Sequence, residues 1–143
     1  MALGKTIKIG IEPGRFIVAD SSTLLCTITA CKSTPEKMFF GTDTGMNHLI
    51  RPALYGSHHE IVNLTNNELA HSKVTVCGNI CECSDILGTD IEIPGKIGDI
   101  LGIENTGAYG FCMSSNYNER PKPAEVMLNL EGEDVLIRRR ETF

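Results

Sequence analysis

Tryptophan is absent from this sequence, and aromatic residues make up only 6% of it. That leaves little material for an aromatic platform on which single-stranded nucleic acid could stack. Thirteen Lys and Arg against eighteen Asp and Glu give a net charge of -5, which excludes a general polyanion binder. The one dense basic run, Arg138-Arg139-Arg140, reads as a solvated or interface-facing strand end. No apolar run is long enough to cross a bilayer. The opening residues "MALGKTIKIG" have no apolar core of the kind a secretory signal needs. A cytoplasmic chain is expected from this, with its six cysteines kept as thiols. Internal repeats and low-complexity tracts are also missing, and helical periodicity is thin.

What the 143 residues do contain is a series of short β-like runs separated by turn signals. They cover Thr23 to Cys31, Met38 to Thr42, His59 to Leu64, Lys73 to Gly78, Gly98 to Glu104, Ala124 to Leu130 and Asp134 to Arg139. The last two flank a Glu131-Gly132 turn and suit a hairpin, with Val126, Leu128 and Leu130 facing inward. Single helical turns are expected within Phe16 to Ser22 and around Leu49 to Tyr55. This pattern predicts a mainly β domain, a barrel or sandwich. One more run, Thr6 to Ile11, alternates well with Ile7, Ile9 and Ile11 on one face. It reads as the last strand of something larger.

Three of the six cysteines, Cys77, Cys81 and Cys83, fall within seven residues. A structural zinc site needs four ligands, usually as two spaced pairs, and no second pair is present. Cys26 and Cys31 lie in an alternating strand, and adjacent His58 and His59 point to opposite sides of an extended segment. No metal is therefore expected. Cys77 reads as a small residue closing a strand, and Cys81-Glu82 as the start of an exposed loop. Taken alone, Glu12-Pro13-Gly14-Arg15 is a tight turn after a strand. Arg51 and Tyr55, four apart, pair a guanidinium with a phenol, a combination suited to a carboxylate. Gly107-Ala108-Tyr109-Gly110 is a turn whose glycines let backbone approach a ligand.

In order, "EPGR", "MNHLIRPALY", "CECSD", "GAYGFCMSSNYNERPKPAEV" and "LIRRRET" resemble the C-terminal half of the diaminopimelate decarboxylases. These belong to the pyridoxal phosphate-dependent ornithine/diaminopimelate/arginine decarboxylases, of the alanine racemase-like group. The resemblance covers nearly the whole chain. It implies a (β/α)8 barrel carrying the cofactor, followed by a Greek-key-like β-barrel domain of mostly antiparallel strands. Residues 1–22 would then be the barrel's last strand, EPGR turn and short helix, and residues 23–143 the C-terminal β-domain. No lysine here stands in a context that matches the family's Schiff-base lysine, so the chain alone is expected to be inactive.

The resemblance also implies roles. Pyridoxal phosphate is an electron sink whose ring the protein tunes. Glu12 would approach its pyridine nitrogen, and Pro13, Gly14 and Arg15, with Tyr109, would line the cofactor, Gly14 and Tyr109 holding its phosphate. The substrate is meso-diaminopimelate and the product L-lysine. Arg15, Arg51, Tyr55 and Tyr109 would contact the substrate, the two arginines and Tyr55 its distal carboxylate, and Glu82 the distal ammonium. Cys81 would be the catalytic proton donor, since a thiol is protonated at neutral pH and still able to protonate carbon. The Cys-bearing loop of this group reaches the partner's active site, which implies a homodimer with shared sites, with no nucleic-acid or membrane partner. Two departures stand out: Cys83 where the family usually has Ser, and His48 where it usually has Asp. The alternative is a non-catalytic regulatory module derived from such an enzyme.

Overall fold

The structure is a computed structural model that describes residues 8–66, 68 and 70–143. A four-residue helix, α1 (Arg15–Val18), and a 3-10 turn (Ala19–Ser21) lead into β1 (Leu24–Ser33). There follow β2 (Met38–Thr42), α2 (Arg51–Tyr55), β3 (Ile61–Asn63), β4 (Ser72–Cys77), β5 (Ile86–Ile93) and β6 (Ile100–Ile103). Two 3-10 turns, Phe111–Met113 and Tyr117–Glu119, precede a hairpin of β7 (Glu125–Leu128) and β8 (Asp134–Arg138).

Six strands form one sheet in the order β3-β6-β1-β2-β4-β5. All neighbours are antiparallel except β2 and β4. The long strand β1 turns the sheet into a barrel by changing partners. Leu24 to Thr27 pair with β6, whereas Ile28 to Ser33 pair with β2. A bulge at Thr29 marks the change, where a ladder gains twist. The open seam between β3 and β5 closes by packing: a Cβ on Gly88 would lie 3.0 Å from Ile61 Cδ1. Inside are Ile28, Phe40, Leu49, Ile61, Val74, Val76, Leu101 and Ile103, all fully buried. The mainly β, barrel-like architecture agrees with the sequence expectation.

Three local expectations need correction. Lys8 to Ile11 pair with no other strand among the described residues, and Ile9 is 89% exposed. A strand requires a neighbour for its N–H and C=O groups, and none among the described residues lies beside this segment. The earlier part of that run, Thr6 and Ile7, lies outside the described residues. Val126, Leu128 and Leu130 are exposed rather than inward. Their alternation does set up a hairpin, but no layer among the described residues covers that face. Finally, β5 was not anticipated. Gly88 and Asp90 break its apolar pattern, and Asp90 sits at φ 57, where β4 and β5 slip register. Among the described residues no helix is long and apolar enough to cross a membrane.

Candidate active-site face and proton-donor loop

The sequence-predicted residues gather in two places. The first begins with the turn that follows β6. Tyr109 has φ 61, a left-handed conformation uncommon for a residue with a Cβ. Contacts to the chain before β1 hold it there. The Thr106 N–H donates to the Ser22 carbonyl and the Gly107 N–H to the Ala19 carbonyl, both at 2.9 Å. A Cβ on Gly107 would collide with the Val18 carbonyl, so only glycine permits this approach. The result is that the Tyr109 hydroxyl lies 3.9 Å from where a Cβ on Gly14 would stand. The EPGR turn, with Glu12, Pro13, Gly14 and Arg15 all exposed, therefore meets the Tyr109 phenol.

Arg51 opens α2, ahead of Pro52, a residue suited to the first helical turn. Its guanidinium carbon lies 5.5 Å from the centroid of the Tyr55 ring and 5.5 Å from that of Tyr109. Both distances are within cation–π range. Nη2 donates to Ser57 Oγ at 3.3 Å, Nε is buried without a partner, and Nη1 makes no hydrogen bond among the described residues. A planar fork with free donors near two phenols has the chemistry to accept a carboxylate.

His59 is 2% exposed, with Nδ1–H donating to the Glu104 carbonyl at 2.8 Å. Its Nε2 is buried and unpartnered. Burial pushes this imidazole below the usual histidine range, and the positive charges of Arg51 and Arg15 push the same way. The exposed His58 points elsewhere, toward Glu60 at 3.5 Å, as alternation requires.

The second place is the loop after β4 that carries Cys81 and Glu82. Its organiser is Asp85, 3% exposed, whose carboxylate accepts the N–H groups of Met46 and Ile80, each at 2.6 Å. Burial raises its pKa, which those two hydrogen bonds oppose. Cys81 and Cys83 are exposed free thiols, and Cys77 is partly buried with its pKa raised by that burial. The Glu82 carboxylate accepts the hydroxyl of Tyr117. No hydrogen bond, ion pair or ring contact among the described residues joins Cys81 or Glu82 to Arg15, Arg51, Tyr55 or Tyr109.

Asp85, Tyr117 and His59 escaped sequence reasoning. Each acts on a partner far along the chain, and the pair Gly45 and Gly78, both packed on the Asp85 carboxylate, was the only local trace of the first.

A phosphorylated cofactor has room at Gly14, where only the Tyr109 hydroxyl comes within 4 Å of the place a Cβ would take and the exposed Arg15 follows in sequence.

The family described as pyridoxal-dependent decarboxylase, C-terminal sheet domain, matches residues 16–107. The diaminopimelate decarboxylase of Methanothermobacter thermautotrophicus is 46% identical over 135 residues, covering 93% of this chain and 31% of that protein. Its counterpart in Campylobacter jejuni is 45% identical over 141 residues, covering 98% and 35%. The crystal structure of diaminopimelate decarboxylase from M. jannaschii with L-lysine superposes with a TM-score of 0.87 at 40% identity. It covers 92% of this chain and 30% of that one. The chain thus spans about a third of the length of the relatives it matches. With this sheet, this turn and this match over most of its length, the chain belongs to the pyridoxal-dependent decarboxylases, as their C-terminal sheet domain.

Proposed function

We propose that this chain is the substrate-recognising and proton-donating part of a diaminopimelate decarboxylase, which converts meso-2,6-diaminopimelate to L-lysine and CO2. Residues 1–22 correspond to the end of the cofactor barrel and residues 23–143 to the β-domain. The observation that carries this reading is Arg51, whose guanidinium lies 5.5 Å from the Tyr55 ring and 5.5 Å from the Tyr109 ring, the phenol that meets the EPGR turn.

Pyridoxal phosphate, when bound, supplies an electron sink. Tyr109 and the bare backbone at Gly14 would hold its phosphate, and Glu12 would face its ring nitrogen. The distal end of the substrate is a zwitterion, so its recognition requires both signs of charge. Arg51 and Arg15, with the Tyr55 hydroxyl, bind the carboxylate, and Glu82 binds the ammonium. A diamine end without a carboxylate would leave Arg51 unpaired, which discriminates against ornithine and lysine. The Cys81 thiol gives its proton to the carbon that has lost CO2.

Among the described residues the two groups do not touch within one chain, which favours a homodimer in which the Cys81 loop completes the partner's site; a cytoplasmic location belongs to the same proposal. For the chain alone incubated with pyridoxal phosphate and meso-diaminopimelate, no lysine is expected; turnover would refute the need for a barrel. Joined to its barrel, the protein should decarboxylate meso-diaminopimelate. Arg51→Lys should then raise KM by about tenfold or more, because an ammonium cannot reproduce the planar fork that holds a carboxylate through two donors. An unchanged KM would remove Arg51 from recognition.

A further inference from the structure

Among the described residues the Glu82 side chain makes no hydrogen bond within its own loop, whose contacts to Glu82 are to its backbone. Its carboxylate partner is Tyr117, which belongs to the 3-10 turn Tyr117–Glu119 just before the hairpin. That segment is tied to the loop at a second point, where Arg120 Nη2 donates to the Asn79 carbonyl at 3.2 Å. A third tie comes from His48, whose Nε2–H donates to the Pro121 carbonyl at 3.1 Å. A carbonyl can only accept, so Nδ1 of the neutral ring accepts the Thr44 hydroxyl, at 2.8 Å. The Thr44 carbonyl in turn accepts the Asn79 N–H at 2.9 Å. Asn79, Thr44, His48, Pro121 and Arg120 thus form a closed circuit, and Tyr117 extends from it onto Glu82.

We propose that Tyr117 is a positioning residue for recognition of the substrate ammonium: it fixes the Glu82 carboxylate through Oε1 and leaves Oε2 free to accept the ammonium. This rests on the reading of Glu82 as the ammonium-binding group. A free glutamate samples many rotamers, and a substrate that had to order it would bind more weakly by that cost. Tyrosine suits the task. Its side chain has two torsions, and the phenol is a donor at neutral pH. The hydrogen bond and negative charge of Glu82 push the Tyr117 phenol further above its ordinary value, so it stays a donor.

Two experiments test this. The chain has three tyrosines, so their ionisation can be followed by absorbance at alkaline pH. Tyr117→Phe should remove one phenol transition, and Glu82→Gln should move that transition to lower pH. A titration unchanged by Glu82→Gln would overturn the contact. In the full-length decarboxylase containing this chain, Tyr117→Phe should raise KM for meso-diaminopimelate by about threefold to tenfold, with kcat changed much less. In a Glu82→Gln background the same substitution should change KM by less than about twofold. An equal effect in both backgrounds would mean that Tyr117 acts through something other than Glu82, and would overturn the proposal. No effect of Tyr117→Phe where Glu82→Gln does raise KM would overturn this inference alone. No effect of Glu82→Gln would remove the reading of Glu82 itself, and this inference with it.

Discussion

The carboxylate of Asp85 occupies the space that a side chain at Gly78 would need. The loop bearing Cys81 and Glu82 is thereby wrapped around a buried anion, with glycine at the point of closest approach. Two backbone donors depend on that carboxylate, one from the loop itself at Ile80 and one from Met46, on the segment that leads to Arg51.

Removing the anion should therefore loosen both segments together. Asp85→Ala leaves the buried Ile80 N–H and the part-buried Met46 N–H without an acceptor and should cost about 2–3 kcal/mol. Gly78→Ala should also destabilise, through collision rather than loss of a bond. Urea unfolding of the two variants checks both, and an Asp85→Ala midpoint equal to that of the parent would refute the organising role.

Acid should weaken the fold before the carboxylates titrate. Burial lowers the pKa of both His48 and His59 below the ordinary 6.5. A histidine depressed in the folded state favours folding fully above the unfolded value. Below pH 6.5 the unfolded chain takes up protons that the folded one refuses, and stability falls until the folded pKa is reached. Asp85 has the opposite sign: its raised carboxyl contributes most stability below the unfolded carboxylate range and loses it as pH rises through the folded value. Urea midpoints from pH 5 to pH 8 should decline on the acid side, and His48→Asn should flatten part of that decline.

Two inactive variants should rescue one another. In a full-length homodimer with shared sites, Cys81→Ala removes the donor and should lower kcat by about 10²–10⁴. Arg51→Ala removes carboxylate binding. In a hybrid dimer carrying one change on each subunit, one of the two sites keeps both residues. Mixing the variants should recover activity that neither shows alone, whereas absence of recovery would assign Cys81 and Arg51 to the same subunit's site.

Much of the fold was legible because strands declare themselves locally. Met38 to Thr42 is β2 as read, and Glu131-Gly132 does turn the hairpin. Legibility ended where structure depends on something distant. The outward face of β7 was unreadable because alternation sets a face without saying what covers it. Strand β5 was hidden because its pairing with β4 tolerates a left-handed Asp90. The residues that touch substrate in the proposed reading carry conspicuous chemistry, so Arg51, Cys81 and Glu82 could be singled out. Those that hold them could not, since Asp85 and Tyr117 gain meaning only from partners brought close by folding.

The partner exchange along β1 also has a consequence in time. Leu24 pairs with Ile103, so the first half of β1 has no ladder until nearly eighty further residues have been made, roughly 4–16 s at ordinary rates of synthesis. The second half, beside β2, can pair almost at once. During translation the bulge at Thr29 divides a strand that is already zipped from one that waits with an apolar edge bare. A nascent chain arrested before residue 100 should accordingly be the form most prone to pair with a neighbour.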